Sequence, residues 1–308
     1  MNIVVIGAGG VGGYFGGKLA QAGFDVTFVV RGKTLEAIKT NGLQVKSING
    51  DFTVWPKVTD NINEIKNPEL IILGVKSWQV DAIAEQLIPV INSDTMILPL
   101  QNGADNADML LSILQKENVL AGLCKIVSKI EAPGIINHFV FEPEIVFAEY
   151  DNVLTERVKS IKLVFDKANF KNTISDDIHL DIWKKYLFIT TISGIGAITR
   201  SVFGAIRADE DLRQIMYQTA NEIVAIANAK DINLTNQDIE KVLHVIDNLN
   251  YDTSASMQRD VMEGRPSELE NFNGYIVKQG KALHITTPTN SFLYHCLLPM
   301  EKAARKLG

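Results

Sequence analysis

The stretch MNIVVIGAGGVGGYFGGKLAQAGFDVTFVVR, Met1 to Arg31, reads as strand, glycine turn, helix and second strand. Asn2 to Ile6 is a short apolar run rich in β-branched residues, and it ends in Gly7-Ala8-Gly9-Gly10-Val11-Gly12. Gly7, Gly9 and Gly12 stand at G-x-G-x-x-G spacing, and Tyr14 to Ala22 then has helical composition. In that frame Gly7 makes the tight turn, Gly9 lets a pyrophosphate approach the backbone, and Gly12 lets the helix pack closely on the strand. The phosphates would rest on the helix N-terminus. The expected fold is therefore a Rossmann-like α/β dinucleotide-binding domain at the N-terminus.

The second strand, Asp25 to Val30, should end beside the adenosine ribose. A carboxylate at that point accepts from the 2′-hydroxyl of NAD, but this chain reads Arg31-Gly32-Lys33. A guanidinium suits a 2′-phosphate that a carboxylate would repel, so the predicted cofactor is NADPH. The competing reading of Arg31 is a solvated loop charge; Lys33 is expected to face solvent.

A chain of 308 residues with 46% hydrophobic content can build two cores. The net charge of −6 argues against nucleic acid or an anionic membrane as the main partner. Cys124 and Cys296 lie far apart among apolar residues and read as buried free thiols, which with the absence of a leader or a spanning apolar run points to a cytoplasmic protein without a metal site.

Strand and helix signals alternate to about residue 170: strands at Leu70–Val75 and Thr95–Leu100, helical stretches at Asp81–Leu87 and Asn106–Gln115. Val119 to Tyr150 is β-like around a Pro133-Gly134 turn, which suggests antiparallel strands. From about Lys171 the text turns helical, with periodic stretches at Ile178–Ile192, Asp209–Ala229, Asn236–Asn248, Ser267–Leu283 and Thr289–Lys306. Residues 1–170 are thus expected to form the cofactor-binding domain and residues 171–308 an all-helical substrate and catalytic domain.

Three clusters add chemistry. Val75-Lys76-Ser77-Trp78-Gln79 and Gln101-Asn102-Gly103 follow adjacent strands, on the rim where open α/β sheets bind ligands. Taken singly, Lys76 could be a solvated charge at a helix start and Asn102-Gly103 an ordinary turn. The third cluster is Trp183-Lys184-Lys185 together with Ser254 to Val261, Arg265 to Glu270 and Gly274. With GAGGVG, VKSWQ, QNG, W-x-K, S-x-S-M-x-x-D and S-E-L-E in order along essentially its whole length, the chain resembles the ketopantoate reductases, which reduce 2-dehydropantoate to pantoate with NADPH.

The resemblance implies that Gly7, Ala8, Gly9, Gly10, Val11, Gly12, Arg31, Lys76, Asn102 and Glu268 bind the cofactor. It further implies that Lys185 is the catalytic proton donor and that Asn102, Lys185 and Ser256 touch the substrate; Ser193, at a position where the family usually has asparagine, is assigned to the substrate as well. Chemistry agrees, because hydride delivery to a ketone carbon leaves negative charge on oxygen that an ammonium stabilises and protonates. From the residues alone Lys184 rivals Lys185, since neighbours on a helix lie about 100° apart and only one can face a given side. Glu268 alone would read as a first-turn helix carboxylate.

Four and eight residues past the lysine, where the family usually has asparagines, stand Ile189 and Ser193, and Thr253 takes a third such position. The wall beyond Lys185 is therefore less polar, which leaves a reductase of another small 2-oxo acid or ketone open beside 2-dehydropantoate. A non-catalytic NADPH-binding sensor is a third reading. Ser193, Thr190 or Thr191 could replace part of the lost hydrogen bonding. None of His138, His179, His244, His284 and His295 shares a motif. A homodimer is expected only by analogy.

Overall fold

Ile3, Val4, Val5 and Ile6 are each at most 1% exposed, as a strand covered on both faces must be. They belong to the first strand of a computed structural model that describes residues 1–307 and divides into two units, Met1–Ile178 and a second beginning at His179. In chain order the first unit carries β1 (Asn2–Ile6), α1 (Gly10–Gln21), β2 (Asp25–Val29), α2 (Gly32–Asn41), β3 (Leu43–Ser47), β4 (Phe52–Val54) and β5 (Lys57–Thr59). It continues with β6 (Leu70–Leu73), α3 (Val80–Leu87), β7 (Met96–Pro99), α4 (Asn106–Leu111), β8 (Leu120–Ala132), β9 (Ile135–Glu149), α5 (Glu156–Lys167) and β10 (Lys171–Ile174).

The principal sheet is parallel throughout, in the order β5-β2-β1-β6-β7. The chain moves outward from β1 through β2 to β5 and then returns to β6 on the other side. The order therefore reverses between β1 and β6, and that switch point is where open α/β sheets leave a crevice at the strands' carboxyl ends. In the second sheet β9 pairs parallel with β3 and β10 and antiparallel with β8, and β3 pairs antiparallel with β4. The turn joining β8 to β9 is Pro133-Gly134, with Gly134 at φ +75°. Helix α1 packs Phe15 and Leu19, both 0% exposed, into a core shared with Phe28, Leu43, Phe147 and Phe165. Each such burial contributes roughly 1.5–3 kcal/mol.

The fold class read from the sequence is the one observed, with local corrections. The strands expected at Asp25–Val30, Leu70–Val75 and Thr95–Leu100 are shorter, because Val30, Gly74–Val75 and Leu100 already turn away into the loops at the rim. Strand signal does not end near residue 170: β10 pairs with β9 through Lys171–Ile174 and prolongs the first unit. Cys124 is buried as expected, but Cys296 is exposed.

The second unit consists of helices: α6 (Ile178–Thr199), α7 (Phe203–Ala208), α8 (Glu210–Ala229), α9 (Asn236–Asn248), α10 (Ser256–Met262), α11 (Tyr275–Leu283) and α12 (Pro288–Leu307). Helix α6 is apolar on several sides, with Trp183, Tyr186, Leu187, Ile192 and Ile195 at most 3% exposed, which is the signature of a central, buried helix. The Tyr186 hydroxyl donates to the Phe272 carbonyl at 2.7 Å, and a Cβ on Gly194 would stand 2.6 Å from Asn273 Oδ1. Ser267–Leu283 does not form one α-helix: a π-helix at Glu270–Gly274 precedes α11, and Ser267, Glu268 and Leu269 remain in the approach to it. Among the described residues no helix is long and apolar enough to cross a membrane, and no group of three His, Cys, Asp or Glu could hold a metal ion.

Candidate active site

At the end of β1 the backbone is forced. Gly7 lies at φ +93°, which a side chain would strain. A Cβ on Gly12 would stand 2.1 Å from the Gly7 carbonyl oxygen, and one on Gly74 would stand 2.8 Å from the Gly12 Cα. Helix α1, β1 and β6 thus meet with no room for a methyl group. Gly9 differs: a Cβ there would meet only the Gly74 carbonyl oxygen, at 3.7 Å. Among the described residues no packing contact requires glycine at position 9, and the space it keeps open suits the approach of a diphosphate. Gly9 is also the N-cap of α1, no side chain caps the helix and its first turn holds no acidic residue. The orphan N–H groups and positive helix end, with Ala8, Gly10 and Val11 in the same turn, fit an anionic diphosphate.

Strands β6 and β7 pair as far as Leu73 and Pro99, so the loops that follow are neighbours. Lys76 is half-buried, its N–H donates to Gln79 Oε1 at 3.1 Å, and its ammonium lies 5.6 Å from the centre of the Trp78 ring. Buried Ser77 donates its hydroxyl to the Asn102 carbonyl at 2.7 Å, tying the two loops together. Asn106 Nδ2 donates to the carbonyls of Gln101 and Asn102, and Gly103 turns at φ +130°. Lys76 and Asn102 accordingly share one rim. Gln101 is 7% exposed, and its side-chain amide has no hydrogen-bond partner among the described residues, a costly state for a buried carboxamide. Arg31 lies two residues past β2, extended at φ −129° and ψ 160° as the N-cap of α2. It is exposed, as is Lys33.

In the second unit α6 separates the two lysines, since Lys184 is exposed and Lys185 half-buried. Ile189 and Ser193 follow at one- and two-turn spacing on the Lys185 face. Ser193 is 2% exposed and its hydroxyl donates to the Ile189 carbonyl, so its proton is engaged within the helix. Thr190 and Thr191 are wholly buried, with hydroxyls that find no partner among the described residues. Ser256 is exposed as the first residue of α10, after the N-cap Ala255, and Arg259 Nη1 braces that turn through the Ser254 hydroxyl at 3.1 Å. Glu268 is 4% exposed, and its carbonyl accepts from the N–H groups of Asn271 and Phe272. His138, the histidine at 1% exposure, is held by Ser47 and by the Val140 and Phe141 carbonyls.

Sequence reasoning passed over Gly74 and Asn106. Gly74 had a signal, a glycine directly after an apolar strand facing the glycine turn. Asn106 had none, because its role lies in closing a loop four and five residues away.

The chain matches a family model described as ketopantoate reductase PanE/ApbA over residues 3–152, and its C-terminal counterpart over residues 177–301. It is 31% identical over 294 residues to an uncharacterized oxidoreductase, YkpB, of Bacillus subtilis, covering 96% of this chain and 97% of that protein. It is 29% identical over 301 residues to a 2-dehydropantoate 2-reductase of a Nostoc species, covering 95% of this chain and 93% of the other. A crystal structure of a PanE/ApbA family ketopantoate reductase from Ralstonia eutropha superimposes with a TM-score of 0.91 at 27% identity, covering 99% of this chain and 100% of that one.

Proposed function

This chain belongs to the ketopantoate reductase family, and from that premise we propose that it reduces 2-dehydropantoate to pantoate with NADPH, a step toward pantothenate and coenzyme A. In this reading the first unit holds the cofactor. The turn from Gly7 to Gly12 and the start of α1 take the diphosphate, Arg31 pairs with the 2′-phosphate, and Lys76 and Asn102 contact the cofactor from the rim. Bound there, NADPH supplies the hydride. Glu268 is assigned to the cofactor, and Asn102, Ser193 and Ser256 to the substrate.

Lys185 performs the proton step. Its ammonium stabilises the negative charge that develops on the ketone oxygen and then gives that oxygen its proton, leaving a hydroxyl on the substrate and a neutral amine on Nζ. The observation that carries this assignment is the difference in burial between the adjacent lysines: Lys184 is solvated, whereas Lys185 is half-buried on α6. The same reading makes the protein a cytoplasmic enzyme, with the homodimer resting on the family resemblance.

A second reading, another small 2-oxo acid as substrate, is favoured by the Lys185 face of α6. Ile189 offers no hydrogen bond, and the proton of Ser193 is spent on the Ile189 carbonyl. Each hydrogen bond missing to a buried substrate group costs roughly 1–3 kcal/mol, enough to redirect selection. The deciding experiment follows NADPH consumption by the purified protein with 2-dehydropantoate, beside NADH and a panel of 2-oxo acids. Efficient, NADPH-selective turnover of 2-dehydropantoate is the expected result. Preference for another 2-oxo acid establishes the second reading, and no turnover with any of them contradicts both.

A further inference from the structure

We infer that Glu301 is a positioning residue that sets Glu268 in place, an inference that rests on the cofactor role proposed for Glu268. Glu301 lies on α12 and is 2% exposed. A buried carboxylate is unfavourable unless its oxygens are satisfied, so its partners say what it is for. Among the described residues, and apart from Arg305, they belong to a single residue, Ser267. The Ser267 N–H donates to both carboxylate oxygens, at 3.1 and 3.0 Å, and the Ser267 hydroxyl donates to Oε2 at 2.5 Å. Arg305, one turn further along α12, donates Nε to Glu301 Oε1 at 2.7 Å and Nη2 to the Ser267 carbonyl at 3.2 Å.

Every polar group of Ser267 is therefore gripped by one ion pair, whose carboxylate is buried and whose guanidinium reaches solvent. The grip extends past Glu268, because the Ser267 hydroxyl also accepts from the Leu269 N–H at 3.3 Å. On the other side the Glu268 carbonyl is fixed by Asn271 and Phe272 as the π-helix begins. The result is a peptide segment whose backbone cannot shift without breaking a buried network, with the Glu268 side chain rooted at its centre. Ordinary capping of the following helix would need only the Ser267 hydroxyl. The buried Glu301 carboxylate, paired with Arg305, adds a constraint on where the segment lies, which is the requirement for a group that must meet a ligand within a fraction of an ångström.

The test is a double-mutant cycle on the full-length protein, reading NADPH dissociation constant, kcat and KM for wild type, Glu301→Gln, Glu268→Gln and the double variant, with thermal melting of each. Gln at 301 keeps the shape but turns an amide donor toward the donors of Ser267 and Arg305. The expected result is that Glu301→Gln weakens NADPH binding or lowers kcat by roughly ten- to hundredfold in the wild-type background, and by no more than about twofold once Glu268 is already Gln. Equal loss in both backgrounds, or no loss in wild type, overturns the inference and leaves Glu301 a stabilising residue. If Glu268→Gln itself changes neither binding nor turnover, the cofactor role of Glu268 fails and the inference with it, a failure that this variant alone reports. Should Glu301→Gln not fold, Ser267→Ala replaces it in the same cycle: a loss seen only with Glu268 present supports the inference, and equal or no loss overturns it.

Discussion

The glycine turn of the first unit is fixed by main-chain sterics, whereas Lys185 and Glu268 of the second unit are placed by a helix face and by side-chain bonds. Gly12 is fixed by a carbonyl oxygen that would lie 2.1 Å from any Cβ, and Gly7 by a φ of +93°. Lys185 owes its place to one face of a buried helix, and Glu268 to a loop gripped by Ser267, Glu301 and Arg305. Backbone sterics leave a spacing rule that any reader of the sequence can apply. Side-chain placement leaves none, so the candidate residues of the second unit become legible only through burial and hydrogen bonding.

That contrast can be tested residue by residue. The largest effect belongs to Gly12→Ala, since neither α1 nor the Gly7 turn can cheaply relieve a Cβ that would stand only 2.1 Å from the Gly7 carbonyl oxygen. It should cost upwards of about 3 kcal/mol, read as a fall in the urea midpoint or as failure to accumulate folded protein. A midpoint equal to wild type would break the claim that sterics dictate this glycine. Next comes Arg31→Ala, which should weaken NADPH binding roughly ten- to hundredfold while NADH binding stays constant, the loss expected for a charge-assisted contact to the 2′-phosphate. Equal loss for both cofactors would remove Arg31 from cofactor choice.

Gly9→Ala sharpens the comparison within a single turn. Its Cβ meets only one atom, at 3.7 Å, so the urea midpoint should hold while NADPH affinity falls about tenfold from crowding of the diphosphate. Unchanged affinity would show that position 9 does not face the cofactor.

The smallest effect lies away from the candidate site. Glu144 on β9 lies 3.0 Å from Lys125 and 3.2 Å from Lys171. Burial pushes its carboxyl up, but the bonds from Lys125 and Lys171 outweigh that and hold it below its ordinary value of 4.5. The stability this provides is complete above that ordinary value and is lost as pH falls through the lower folded value. Because both lysines are more than half exposed, Glu144→Gln should cost only about 0.5–1 kcal/mol at neutral pH. The gap between the two proteins in urea midpoint should close below pH 4.5, and a gap that widens there would refute the assignment.

The parallel sheet, the antiparallel hairpin about Pro133-Gly134 and the helical second half were readable because long apolar runs and strong turn residues mark them. Strands β4 and β5, of three residues each, and β10, of four, escaped because so short a run has no period to detect. Helix α2 was hidden for a related reason, its N-cap and first two residues being Arg31-Gly32-Lys33, which read as a loop. Periodicity showed that Lys184 and Lys185 face different ways, but only burial tells which is which. Glu301 carried no sequence signal at all, since its partner Ser267 comes from a separate part of the chain.

The division of labour between the units is tested most directly by Lys185→Ala, with NADPH affinity and turnover measured on the same preparation. The account predicts NADPH binding within about twofold of wild type and a fall in kcat of roughly 10²- to 10⁴-fold, the range of a lost general acid. Turnover that survives the substitution, or NADPH binding that is lost together with it, would contradict the account.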